Sequence, residues 1–225
     1  MAKQAPKQAN IDWQKVSTVL LDMDGTLLDL RFDTWFWSEL VPAHYGNRHG
    51  IDRDEVLRRL VPEFESRRGT LEWYCLDFWA EALDLDLQGL KHNVSHEIRF
   101  LPGVPKFLTR IRNMGKRLVL VTNAHAGILR LKLVRTGLDS YFDAIYSSHD
   151  FGVPKEAADF WPRLNAVEPF DSRSSLFADD SLPVLRSARG YGIRHVIAIR
   201  KPDSEQPPRA MADFVAVDAL VDLIA

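Results

Sequence analysis

The stretch 19-VLLDMDGTLLDL-30 runs from an apolar strand straight into two carboxylates, Asp22 and Asp24, followed by Gly25 and Thr26. A strand of that composition belongs in a protein interior, where an unpaired carboxylate is expensive. Positive charge between the two acids, with more negative charge beyond it, would relieve the cost. The pair therefore predicts an ion-binding device at the strand end.

Working outward, other short apolar runs resemble the first: 117-RLVLVTN-123, 144-AIYSS-148, 175-SLFADD-180, 194-RHVIAI-199 and the weaker 213-DFVAV-217. Most are continuous rather than alternating. That pattern suits strands buried on both faces, hence a parallel sheet covered by helices. Helical patterns separate them. In 104-VPKFLTRIRNMG-115 the residues Val104, Phe107, Leu108, Ile111 and Met114 share a face, and Gly115 can end the helix. In 181-SLPVLRSARGYG-192 Ser181 is the expected N-cap and Pro183 falls in the first turn. Strand–helix alternation of this kind predicts an open, Rossmann-like α/β sheet with helices on both faces.

From Leu30 to Arg99 the alternation stops and no strand is evident. This stretch reads as helices, among them 53-RDEVLRRLVPEFESR-67 and 70-TLEWYCLDFWAEAL-83, and it is rich in aromatic residues. The expected organisation is a flexible leader over 1–12, an α/β core over 13–29 and 100–225, and an inserted helical cap over 30–99. Tyr74, Cys75, Phe78, Trp79 and Ala82 are expected to form the inner face of a cap helix, with the lone Cys75 a buried, inert thiol.

Ligands of open α/β sheets bind beyond the carboxyl ends of the strands. Asp22, Asp24 and Thr26 stand there, as do 121-VTNAH-125, Lys155 of 152-GVPKE-156, and 178-ADDS-181. Asp22, Asp24, Asp179 and Asp180 offer hard oxygen ligands suited to Mg²⁺. Lys155 and such a metal can share a highly charged anion, and Thr122 with nearby backbone N–H groups can bind its oxygens. A phosphate would bring the charges near balance.

In that order, DMDGT (22–26), VTN (121–123), the Lys155 segment and ADDS (178–181) resemble the haloacid dehalogenase-like (HAD) hydrolase superfamily. The resemblance implies a HAD-like core with a helical cap of the first type. It implies Asp22 as the nucleophile that forms an aspartyl phosphate, and Asp24 as the acid and then base, with its backbone carbonyl on the metal. Asp180 would be the direct metal ligand, Asp179 a ligand directly or through water, Thr122 the phosphoryl ligand, and Lys155 the neutralising ammonium. Glu156 stands where proline is frequent in the superfamily. Dehalogenases lack the second acid, whereas Asp24 is present here, so phosphate chemistry is expected. Phosphonate cleavage needs a cap lysine, and only Lys91 is available. No second basic cluster suits a mutase.

More narrowly, 17-STVLLDMDGTLLDLRFDTWFW-37, 71-LEWYCLDFWAEAL-83, 122-TNAH-125 and 147-SSHDFGVPKE-156 resemble the bacterial GMP/IMP nucleotidases. That implies a purine nucleoside monophosphate as substrate, with a sugar-phosphate or broad small-molecule phosphatase as the alternative. A catalytically silent binding protein on the same fold is the reading from another class, opposed by the filled chemical positions. Cap aromatics can stack on a purine, although helical spacing equally places them in the cap interior. Asp33, Trp35 and Trp37, just after the first connection between core and cap near 28-LDLRF-32, are better placed to face the site. Thr26, Asn123 and His125 are further candidates for substrate contact, although a helix-start His125 at a solvent edge is an equal alternative. His149 reads as a loop residue, and Arg58, Arg59, Arg67 and Arg68 as a solvated face.

With 225 residues, 46% hydrophobic and 27% charged, the chain can bury a sizeable core, and its net charge of −2 gives no broad attraction to nucleic acid or anionic membrane. A single cysteine rules out an internal disulfide. The polar N-terminal segment lacks a signal-peptide core, and a cytoplasmic enzyme is expected. Oligomeric state is open.

Overall fold

A computed structural model describes residues 11–211 and 214–224. The predicted leader therefore lies, up to residue 10, outside the described residues, as does Asp213 at the start of the last predicted strand. The sheet has strands β1 (Thr18–Leu21), β2 (Arg117–Thr122), β3 (Ala144–Ser147), β4 (Ser175–Asp179), β5 (His195–Ile199) and β6 (Val215–Val217). Their spatial order is β3-β2-β1-β4-β5-β6, and every pairing is parallel.

The continuous apolar runs have a simple reason. Along the central strands, alternate side chains enter different cores. Val19, Leu21, Leu118, Leu120, Leu176 and Ala178 pack with Val104, Phe107, Leu108 and Ile111 of the helix Val104–Asn113. Leu20, Val119, Val121 and Phe177 pack on the other side with Phe160, Trp161 and Leu164 of Phe160–Val167 and Val184, Leu185 and Ala188 of Leu182–Tyr191. Each fully buried large side chain contributes roughly 1.5–3 kcal/mol, so both faces must be apolar. The chain leaves β1 for β2 and β3 on one side, then returns to β4 on the other. That reversal opens a crevice at the carboxyl ends of β1 and β4.

Between β1 and β2 the chain is helical from Arg31 to Glu97. A third core, from Phe36, Val41, Val56, Leu60, Leu76, Trp79, Leu83 and Leu87, lies wholly within this segment. The helix Arg53–Arg67 has the predicted bounds, with Asp52 capping it by accepting from the Glu55 N–H at 2.9 Å. Arg58 and Arg59 pair with Glu55, Arg68 with Glu65 and Arg67 with Glu72, as a solvated face would.

Two local expectations are corrected. The helix read over 70–83 is two pieces, Leu71–Tyr74 and Leu76–Leu83. Cys75 is extended between them and caps the second, its Sγ accepting from the Phe78 N–H at 3.4 Å. The thiol is accordingly half-buried, not a core residue. Because the break resets the helical phase, Leu76, Trp79 and Leu83 face the core, Ala82 is exposed, and Tyr74 is turned toward the sheet domain. Ser181 occupies the N-cap position of Leu182–Tyr191, but its side chain makes no capping bond. Its backbone N–H instead donates to Asp179 Oδ1 at 2.7 Å, tying the strand-end acid in place.

Among the described residues, no helix is long and apolar enough to cross a membrane.

Candidate active site

A cavity of about 600 Å³ lies between the strand ends and the helical segment. That is within the roughly 300–1,000 Å³ usual for small-molecule sites. Asp22, Asp24, Thr122, Asn123, Lys155, Asp179 and Asp180 line one end, with Asp33 and Trp37 also on its wall.

Asp22 extends the β1 ladder by one step, its N–H donating to the Ala178 carbonyl at 3.1 Å. The carboxylate then meets Lys155, whose Nζ lies 2.5 Å from Asp22 Oδ1, 2.8 Å from Asp179 Oδ2 and 3.0 Å from the Val121 carbonyl oxygen. Lys155 is 2% exposed, and the two carboxylates hold it firmly protonated against that burial. Asn123 sets its backbone by accepting the Lys155 N–H at 2.9 Å. Thr122 is buried, with Oγ1 accepting from the Ala124 N–H at 3.0 Å.

Just past Asp24 the chain must turn sharply beneath Asp180. Gly25 makes that turn at φ +82°, where a Cβ would lie 2.8 Å from Asp180 Cγ and 2.9 Å from Pro202 Cβ. The glycine of the DMDGT stretch is thus required by space as well as by backbone conformation. Thr26 is buried at 1% exposure and does not line the cavity, with no partner for its hydroxyl among the described residues.

Oxygens of Asp22, Asp179 and Asp180 lie within 4.8 Å of one another. Against three carboxylates stand Lys155 and, at the rim, Arg209, whose Nη1 is 3.0 Å from Asp180 Oδ2. Burial, reinforced by the neighbouring acids, pushes Asp22 and Asp180 up to about 7 and Asp179 up to about 6. Excess negative charge on hard oxygen donors is the environment a divalent cation relieves, so the donor set fits Mg²⁺.

Asp24 belongs to a second group, to which no sequence pattern pointed. Lys132, from the helix Ala126–Thr136, places Nζ 2.6 Å from Asp24 Oδ1 and 2.5 Å from Asp33 Oδ2. Lys91, from Leu87–Asn93, places its Nζ 2.6 Å from Asp33 Oδ1. Two carboxylates and two ammoniums balance, and the two lysines hold Asp33 well below the usual carboxylate range despite its burial. Burial raises Asp24, with Lys132 opposing it.

Three further residues join the site without having been expected there. Tyr74 donates its hydroxyl to Glu156 Oε1 at 2.5 Å, while Asn123 Nδ2 donates to Glu156 Oε2 at 2.9 Å. Glu156, standing where the superfamily often has proline, thus links the helical segment to the sheet domain. Arg209 comes from the long β5–β6 connection. The unusual Glu156 was a visible signal; Tyr74 and Arg209 had none.

The remaining candidates divide. Trp37 packs edge-on against Phe36, Phe64 and Trp79, and forms with Phe64, Trp73 and Trp79 an aromatic wall of the cavity. These rings therefore build the helical core and face the cavity at once. Trp35 lies instead in a separate small cleft with Arg31 and Glu97. His125, at the N-cap position of Ala126–Thr136, lies outside the cavity lining, with its ring centroid 5.0 Å from that of His149 and its Nδ1 3.8 Å from Asp77.

Comparison with known proteins agrees with this fold. The haloacid dehalogenase-like hydrolase model matches residues 16–164. The GMP/IMP nucleotidase YrfG of Escherichia coli is 40% identical over 195 residues, covering 87% of this chain and 88% of that protein. A phosphoglycolate phosphatase of Nitrosospira multiformis is 28% identical over 82% of this chain and 83% of its own. Among solved structures, a HAD phosphatase from Thermococcus onnurineus superimposes with a TM-score of 0.77 at 26% identity, covering 92% of this chain and 96% of its own.

Proposed function

Because the chain belongs to the haloacid dehalogenase-like hydrolases and is a phosphomonoester hydrolase, we propose that its substrate is a purine nucleoside 5′-monophosphate, GMP or IMP, cleaved through an aspartyl phosphate. One observation carries the reading: a single cavity joins the Asp22–Lys155 end to an aromatic wall of Trp37, Phe64, Trp73 and Trp79. The first suits a phosphoryl group; the second offers π faces to a base. The 40% identity to a GMP/IMP nucleotidase supports the same substrate.

Asp22 attacks phosphorus, forming an O–P bond as the ester P–O bond breaks and its electron pair moves to the nucleoside oxygen. Asp24 donates its proton to that oxygen. A water then attacks phosphorus, giving its proton to Asp24, and the Asp22–phosphorus bond breaks. Lys155 offsets the repulsion between the attacking carboxylate and the phosphoryl charge. Thr122 and adjacent backbone N–H groups bind the phosphoryl oxygens, while Asn123 holds the Lys155 backbone. Asp22, Asp179 and Asp180, with the Asp24 carbonyl, would hold Mg²⁺, which supplies further neutralisation of the transferred group.

The test is phosphate release with Mg²⁺ from GMP, IMP, AMP, UMP, glucose 6-phosphate and nitrophenyl phosphate, with and without chelator. Chelator-sensitive turnover led by GMP and IMP is expected. A profile led by sugar phosphates, or a flat one, would retain the phosphatase and sink the nucleotidase.

A second expectation concerns pH. The folded pKa values of about 6 and 7 lie above the unfolded value of about 3.9. The folded protein therefore binds protons that the unfolded chain has released. Stability from these groups is present below about pH 4 and is lost as pH rises through 7. A divalent cation bound to the ionised trio offsets that loss. The rise in Tm on adding Mg²⁺ should thus be larger at pH 8 than at pH 5; an equal rise would remove the trio as the metal site.

A further inference from the structure

The Asp24–Lys132–Asp33–Lys91 chain joins the turn after β1 and the helix that follows it to two helices distant in sequence. Asp24 stands in the turn after β1, and Asp33 in the helix Arg31–Trp35 that begins the helical segment. Lys91 lies near its end, and Lys132 in the helix following β2. Side-chain exposure is 2% for Lys132, 4% for Lys91, 16% for Asp33 and 24% for Asp24. Both ammoniums sit near aromatic faces, Lys91 Nζ 4.7 Å from the Phe36 centroid and Lys132 Nζ 5.8 Å from that of Phe32. These are shielded contacts with little salt screening.

We propose that Lys132 and Asp33 are positioning residues for Asp24, holding its carboxyl in the rotamer that hands a proton to the leaving oxygen. An aspartate beside a cavity can rotate about both side-chain torsions. Lys132 removes that freedom by binding Oδ1, while the other oxygen remains for proton transfer. Lys132 is itself fixed by Asp33, and Asp33 by Lys91. The acid is therefore held from the helical segment as well as from the sheet domain. A displacement of the helical segment that carries Asp33 and Lys91 away also loosens Asp24, so proton donation depends on that segment being seated. The inference rests on the proposed role of Asp24 as proton donor; it does not require the alcohol to be a nucleoside.

The experiment compares kcat and KM on GMP, whose alkoxide must be protonated, with those on nitrophenyl phosphate, whose phenolate leaves unaided. Wild type, Lys132→Met, Lys132→Arg and Asp33→Asn are measured with Mg²⁺, beside Asp24→Asn as comparator. Misplacing a reacting group by about 1 Å costs roughly 100-fold. Lys132→Met should lose about that factor in kcat on GMP and about tenfold less on nitrophenyl phosphate, with KM within about threefold of wild type. Lys132→Arg should recover part of the GMP loss, and Asp33→Asn should show the same substrate split more weakly. Equal losses on both substrates, a change confined to KM, or no change would overturn the inference. If Lys132→Met does not fold, Lys132→Gln combined with Asp33→Asn removes one charge of each sign and is read by the same split. Wild type inactive on every phosphomonoester overturns the proposed function along with this inference. Turnover led by a different alkyl phosphate overturns the nucleotide assignment alone, and that ester replaces GMP in the comparison.

Discussion

Asp22→Asn should abolish phosphate release, lowering kcat by roughly 10⁴-fold or more, as loss of a nucleophile does elsewhere. The amide is nearly the same shape, so the contact with Lys155, 2.5 Å away, can persist as a hydrogen bond. Yet the amide cannot form the acyl phosphate. Circular dichroism and Tm should show an intact fold. Stability should rise above pH 7, because burial pushes the native carboxyl up to about 7 and the amide has no proton to lose. Full activity in a homogeneous Asp22→Asn preparation would place the chemistry at another residue.

Lys155→Met should damage both stability and turnover. Its Nζ joins Asp22, Asp179 and the Val121 carbonyl in a site where the side chain is 2% exposed. Deleting one partner of a buried ion pair typically costs about 3–5 kcal/mol, because the other charge is left unbalanced. Here the acids have a partial escape: they take up protons. The loss in Tm should therefore be small near pH 5 and large near pH 8, and Mg²⁺ should restore part of it. Turnover should fall by roughly 10²–10³-fold, the usual effect of removing one preorganised charge-stabilising group, and Mg²⁺ should not restore it. A variant as stable as wild type at pH 8 would show that the trio needs no ammonium.

Much of the architecture is legible in the amino-acid sequence. The runs 117-RLVLVTN-123 and 175-SLFADD-180 are apolar at every central position because each strand serves two cores, and an unbroken run records that directly. The acids of DMDGT and ADDS stand immediately after such runs, so the strand that buries the apolar residues also delivers the carboxylates to one edge. Lys155 was legible through order and local context. The helical face read through Tyr74, Cys75, Phe78 and Ala82 was not, because the chain breaks at Cys75 and the phase of the second helix starts afresh. Periodicity counts along a helix and cannot register a one-residue interruption.

Lys132 in 126-AGILRLKLVRT-136 belongs to no motif that the sequence singles out, yet it is 2% exposed and bridges Asp24 to Asp33. Its role depends on four segments meeting at one point, and no local pattern encodes that meeting. The same holds for Tyr74 reaching Glu156 and Arg209 reaching Asp180. By itself, the sequence determined the α/β class, the family resemblance and the strand-end acids, because burial and strand termination act between near neighbours in the chain. Only the tertiary structure decided which cations compensate which acids and which aromatic rings face the cavity. Those contacts are set by how the helical segment seats on the sheet and by how the strand ends meet the helices and connections around them, through side chains as far apart in sequence as Asp24 and Lys132.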